Sequence, residues 1–356
     1  MREQTFPVAR AVGVDTGSRD RSGALLAELL GSDVVFGMEP GTGYGAAVSR
    51  ALQHPAVRRV QGADTEWIWL LHDDCLPEAD ALEQMLRVAS RNQATAILGP
   101  KLRDLADRRV LRETGLTPDR AGRRLTGIEP GEIDQGQHDG NRGVLAVSTA
   151  GMLVRRDVWE QLGGFDPLLP LFRDDIDFCW RAHAAGHDVR VVTDAVVYHR
   201  ELSARQRRKA PAAGAHPRAM DRRAALYVLA VNVPFGAMLT VVGGCVLGSV
   251  LRAIYFLLTK QQRRAFDHLS AVAWLFGHPL ALWRARRRRA EGRKRAYAVL
   301  KPQVPHGRTL SRLAEAASGI YPDRPRTRAA ASTEACPTTP TTICRCRQRT
   351  RCSGGC

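Results

Sequence analysis

Over the first two hundred positions, short apolar runs alternate with stretches whose apolar residues recur at helical spacing. Ala11–Val14 is a brief apolar run closed by the turn residues Asp15-Thr16-Gly17-Ser18. Ser22 to Leu30 then has helical spacing, with Gly31 as a stop. Val34–Phe36 gives a second strand, followed by the Gly-rich loop Gly41–Gly45 and a helix ending near His54. Trp67–Leu71 is the third strand, Ala79–Ser90 the helix after it, and Ala96–Leu98 the next strand. The stretch Arg103–Arg142 is polar, rich in Gly and Asp, and reads as irregular. Val144–Val154 returns to a β-like pattern, Asp157–Leu162 predicts a short helix and Asp175–Ala185 a longer one. Val189–Val192 and Ala195–Tyr198 close the series as strands. Such alternation predicts an α/β fold: a mostly parallel sheet with helices on both faces.

The pattern changes near Arg222. Ala224–Leu251 contains no charged residue and exceeds the roughly 20 residues that span a bilayer. It is expected to be a transmembrane or re-entrant segment, against the competing reading of a buried core helix. Leu269–Trp283 is shorter and amphipathic, as interfacial helices are. The organisation predicted is a catalytic domain over 1–205, a basic linker over 206–223 and a hydrophobic segment over 224–259. A basic amphipathic region over 260–320 and a low-complexity, disordered tail over 321–356 complete it. A chain cut near Ser203 is expected to leave a soluble domain.

Composition sharpens this. There are 53 Lys and Arg against 36 Asp and Glu, a formal charge of +17. Basic runs such as Arg205–Lys209 and Arg284–Arg289 flank the apolar stretches, which favours an anionic membrane surface. No pattern of interleaved aromatics points to nucleic acid, so a nucleic-acid partner is not expected. Of eight cysteines, Cys75, Cys179 and Cys245 are scattered and five crowd into Cys336–Cys356 at spacings that fit no zinc pairing. The body reads as a reduced, cytosolic protein. Met1–Arg10 has no apolar core of the kind a secretory signal needs.

Two segments carry chemistry. The apolar strand Trp67–Leu71 runs into His72-Asp73-Asp74, which places carboxylates and an imidazole at the carboxyl end of a strand, where α/β ligand sites lie. Such groups suit a divalent cation that neutralises a diphosphate leaving group, although a solvated turn or helix cap explains Asp-Asp equally well. Asp174, Asp175 and Asp177 open a helix after Gly163-Gly164-Phe165-Asp166, and His199 ends a strand beyond it. Carboxylates are at ease at a helix N-terminus, but three exceed what capping needs, and one is placed to act as a general base.

Four segments in order resemble the family-2 glycosyltransferases of the GT-A fold, over about residues 4–205. They are Val14–Asp20, Leu71–Asp74, Leu162–Asp166, and Phe172–Phe178 with His199 beyond. The nearest likeness is to actinobacterial, galactofuranosyltransferase-like members. Position by position, the resemblance implies that Asp15 contacts the nucleotide base within the loop that includes Gly17. Asp73 would reach ribose or donor sugar, and Asp74 would ligate the metal, with His199 completing the site and His72 standing where many members have an Asp. Asp175 matches the catalytic base and Asp174 its acidic neighbour, while Gly163, Gly164 and Asp177 fall on the acceptor side.

The implied reaction is an inverting, Mn2+- or Mg2+-dependent transfer from a nucleotide sugar, a uridine diphosphate sugar above all. The acceptor would be a lipid-linked or cell-envelope glycan, and the enzyme would sit at the cell membrane facing the cytoplasm. The chain is also expected to begin after the family's usual first strand. That leaves one alternative, a truncated scaffold that kept the fold without turnover.

Overall fold

The computed structural model describes residues 3–59, 65–200 and 217–295, together with the backbone of 340–348. The alternation read from the sequence is present. β1 (Arg10–Asp15), α1 (Ser22–Leu30), β2 (Val35–Gly37), α2 (Tyr44–Ala51) and β3 (Thr65–His72) follow in turn. β4 (Cys75–Pro77), α3 (Ala81–Arg91) and β5 (Thr95–Asp104) come next. Helix α3 buries Ala81, Leu82, Met85, Leu86 and Ala89 on one face, the i, i+4 stripe that docks a helix on a sheet.

The segment read as irregular contains four short strands: β6 (Leu111–Glu113), β7 (Thr117–Pro118), β8 (Arg124–Leu125) and β9 (Arg142–Gly143). Only the end of Val144–Val154 is a strand, β10 (Leu153–Arg155). Then come α4 (Arg156–Leu162), α5 (Asp174–Ala184) and β11 (Asp188–His199). The two strands expected after Gly186 are this one strand, with its register against β5 shifted between Val192 and Val196.

The main sheet runs β2-β1-β12-β3-β10-β5-β11-β4, where β12 is Pro340–Gln348. β1 pairs parallel with β2, and β5 with β11. β12 is antiparallel to both β1 and β3, and β10 to both β3 and β5. Strands β1, β2, β3, β5 and β11 therefore all point one way, with reversed strands inserted between them. Their carboxyl ends share one edge, which carries Asp15, His72 and His199. The mixed pairing departs from a simply parallel sheet. So does the tail: part of the stretch expected to be disordered is a strand inside the sheet, paired on both sides. The remainder of 321–356 lies outside the described residues.

The uncharged run after Arg223 is not one helix. Pro234 has no backbone N–H and cannot continue a helix, so the run divides into α6 (Pro217–Asn232) and α7 (Phe235–Leu258). α6 begins inside the expected basic linker, and its Ala224–Asn232 half is wholly buried, so the core-helix reading holds for that half. α7 is long and apolar enough to cross a membrane, with 22% of its most apolar window buried. His278-Pro279 likewise divides the expected interfacial helix between α8 (Gln262–Gly277) and α9 (Pro279–Glu291).

Candidate active site

β3 ends at His72, and the tight turn Asp73-Asp74 leads into β4, which pairs back against the end of β11 with Cys75 opposite His199. This pairing folds the turn over the strand end and brings side chains from two distant segments together. His199 Nε2 lies 3.1 Å from Asp74 Oδ1, and the His72 and His199 rings meet edge to face at 5.6 Å. His72 Nε2 contacts the Thr149 hydroxyl at 3.0 Å. One potential ligand atom from each of His72, Asp74, Cys75 and His199 falls within 4.8 Å of the others. Asp74 is buried, whereas Asp73 lies exposed on the turn and outside this cluster.

The fit of these residues to a divalent cation rests on two observations. A buried carboxylate, two imidazoles and a thiol converge in a space of ion dimensions, and they are donors that borderline metals accept. Beside them the Tyr44 ring packs against His72 at 4.9 Å, and its buried hydroxyl has no hydrogen-bond partner among the described residues. An orphaned hydroxyl at a site edge is a group kept for a ligand or water. Burial, then the nearby Asp174 and Cys75, holds the Tyr44 phenol well above its ordinary range, so it stays a neutral donor.

The second acidic segment opens α5. Arg173 precedes it in a left-handed backbone conformation, φ 66°, which is costly for a side-chain-bearing residue. Its guanidinium is clamped by Asp221 of α6 at 2.6 and 3.0 Å and by the Gly122 carbonyl at 3.1 Å. This fixes the direction in which the helix starts. Asp174 and Asp175 are both buried. Burial, and then the charge of Asp175, pushes the Asp174 carboxyl well above the usual range. Asp175 Oδ1 accepts the Ile176 N–H at 2.7 Å, and its Oδ2 lies 3.7 Å from Arg124, which also binds Glu113 at 2.8 Å.

Asp177 differs from its expected place on the acceptor side. It is fully buried, and Arg181, Arg289 and Asn232 occupy its oxygens at 2.7–2.9 Å. Burial works to raise its pKa, but Arg289 and Arg181 overcome that and hold it far below the usual range. It is an anchor for α6 and α9.

Gly163 and Gly164 end α4 in left-handed conformations, both at φ 70°, and a side chain at Gly164 would press on Trp159 at 3.0 Å. They line a cavity of about 170 Å³ with Asp166, Trp180, Arg181 and Arg288. That cavity lies by the C-terminal half of α5, away from Asp174 and Asp175 at its start.

Asp15 accepts from the Ser18 N–H at 3.0 Å and from its hydroxyl at 2.6 Å, which shapes the loop after β1. Gly17, at φ 86°, packs against Pro40. Sequence reasoning missed Tyr44, Cys75, Thr149 and Arg124. Cys75 adjoins Asp74 and Tyr44 sits within the Gly-rich loop, so position could have flagged both. Nothing local marks Thr149 or Arg124.

The α/β sheet thus gathers acidic and imidazole groups on the carboxyl edge of its co-directed strands, where α/β ligand sites lie. The family described as "Glycosyltransferase like family 2" matches residues 14–216, more than half the chain, and the chain belongs to it. No curated protein matches. Among solved structures, GalNAc-T7 with UDP, GalNAc and Mn2+ is similar at TM-score 0.44 and 13% identity. That likeness covers 61% of this chain and 41% of the GalNAc-T7 chain, so this chain spans less than half of it. S. aureus TarS 1–349 in complex with UDP is similar at TM-score 0.43 and 15% identity, over 82% of each chain. Neither likeness bears on substrate or metal here.

Proposed function

We propose that this glycosyltransferase moves a sugar from a nucleotide donor, of the uridine diphosphate kind, to a hydroxyl of a lipid-linked or cell-envelope glycan, with inversion. The observation that supports this most is the meeting of Asp74 and His199 at 3.1 Å on the carboxyl edge. Asp74, His199, His72 and Cys75 would hold a divalent cation, and the nitrogen and sulfur donors favour Mn2+ over the oxygen-seeking Mg2+. When bound, the ion neutralises charge on the diphosphate leaving group.

Asp175 is the general base. It takes the proton of the acceptor hydroxyl as that oxygen bonds to the anomeric carbon and the bond from that carbon to the diphosphate oxygen breaks. Arg124 and the Ile176 N–H orient its carboxylate. Burial, and then the charge of Asp175, raises the Asp174 carboxyl well above its usual range, so it is the poorer proton acceptor of the two only by being the harder to ionise. Asp15 and Gly17 shape the loop that receives the nucleotide base, and exposed Asp73 reaches toward ribose or sugar. Gly163 and Gly164, which line the cavity by the C-terminal half of α5, would border a part of the acceptor glycan remote from the reacting hydroxyl.

The motif order favours a galactofuranosyltransferase-like, actinobacterial type at the cell membrane, with its catalytic unit on the cytoplasmic side. The motifs of that unit lie within 1–205, α6 and β12 complete its fold, and the membrane-facing part is assigned to α7 and the basic region over 260–320.

Isothermal titration with UDP, with and without Mn2+, tests the reading. Metal-dependent binding that Asp74→Ala abolishes is the expected result. Absence of binding at millimolar UDP in both conditions would sink it and leave the scaffold alternative.

A further inference from the structure

Among the described residues, sixteen large apolar side chains are exposed, and twelve of them lie on α7, α8 and α9. They run from Phe235 and Leu239 through Leu247 and Leu258 on α7, to Phe276 on α8 and Trp283 on α9. An exposed apolar surface shared by three helices marks a docking face. Its border is cationic. Residues 260–295 hold eleven Lys or Arg against only Asp267 and Glu291. Arg287 stacks over exposed Trp283 at 5.6 Å, and Arg264 over Phe256 at 5.6 Å. Aromatic rings rimmed by arginines match the boundary between hydrocarbon and anionic headgroups.

The other side of α7 fixes how it meets that boundary. Val241, Cys245, Ser249 and Ala253 form its buried stripe, centred near the middle of the helix. There the Cys245 thiol donates to the Arg120 carbonyl at 2.9 Å, and Arg222 donates to the Ser249 hydroxyl at 2.7 Å. Arg222 also donates to the Ala121 carbonyl at 2.8 Å. The midpoint of α7 is thus held against α6 and against a polar loop of the sheet domain. A helix crossing the bilayer would carry that loop and Arg222 to the membrane centre, where charge and unpaired backbone are costly.

We propose that α7, α8 and α9 form a one-sided seat that lies in the plane of an anionic bilayer and buries its apolar face in a single leaflet, without any crossing. The seat deepens the membrane part of the proposed function and is independent of the sugar-transfer chemistry. Salt would not reverse it, because apolar burial holds the face once cations have steered it there.

The test uses the full chain added to preformed vesicles of equal parts phosphatidylcholine and phosphatidylglycerol. Protease sites are inserted at the turn Thr259–Gln261 and, as a reference, beside exposed Gly131. Co-sedimentation that survives high salt is expected, with both sites cut at similar rates before and after detergent. Protection of the turn until detergent is added would show a crossing and overturn the proposal. Failure to co-sediment would overturn it too, as would burial of the face in a dimer. Leu247→Glu with Phe276→Glu is expected to weaken vesicle binding about tenfold or more while thermal melting is unchanged. Undiminished binding of that variant counts against the seat. UDP titration on the same preparation reads the catalytic proposal separately, so either can fail alone.

Discussion

Asp174 and Asp175 are neighbours with opposite tasks. Asp175 keeps contact with Arg124, whereas Asp174 is buried against its neighbour's charge. Asp175→Asn preserves shape and removes the proton acceptor. Transfer is expected to fall about 10²–10⁴-fold with donor affinity nearly unchanged, read by steady-state kinetics beside titration. Turnover at the wild-type rate would move the base elsewhere, with Asp174 next to be examined. A second expectation concerns pH. The folded chain holds the Asp174 proton above the pH at which the unfolded chain releases it. Stability from this residue is therefore present at low pH and lost as pH rises from about 3.9 through the raised value. Asp174→Asn should melt higher than wild type at neutral pH, and the gap should close toward pH 4. A melting difference that stays constant with pH would show that the carboxyl does not titrate this way.

At the scale of elements, α5 is where the sheet domain meets the helices beyond it. Tyr227 of α6 donates to Asp166 at 2.6 Å, Asn232 donates to Asp177 at 2.9 Å, and Arg289 of α9 binds both carboxylates at 2.7 Å. Arg289 and Arg181 hold the buried Asp177 far below the usual range, so removing one leaves a buried anion underpaired. Arg289→Ala is expected to cost about 3–5 kcal/mol, measured by denaturant melting. A loss below 1 kcal/mol would mean that water reaches the pair. The same contacts bear on the boundary at 205 expected from sequence. Cutting near Ser203 removes the Asp221 clamp on Arg173 and the buried face of α6. An insoluble or molten fragment is expected, and a sharp melt from residues 1–203 would restore the independent domain.

Across the whole molecule, β12 joins the two parts of the sheet. Six of its nine residues pair with β1 and eight with β3, and the Asp15 loop hangs from β1 while His72 ends β3. Ending the chain at residue 339 is expected to lower the melting temperature and weaken UDP binding together. Unchanged values for both would show that the sheet closes without that strand.

Periodicity determined the α/β alternation, because each strand and helix needs a buried face whose spacing is visible locally. Adjacent residues determined the acidic strand end at His72–Asp74 and the acidic opening of α5. The proline at 234 is equally legible, and it divides the run that absence of charge marks as a transmembrane or re-entrant segment. Tertiary structure alone decided which groups meet. Cys75 and Tyr44 join His72 only because β4 folds back on β11 and because Tyr44, at the start of α2, packs its ring on His72. Asp177 looked like its neighbours in sequence, but it turns away to face Arg181 on its own helix and Arg289, more than a hundred residues distant. A helix gives successive carboxylates different directions, and what lies in each direction is set by elements that local patterning cannot see.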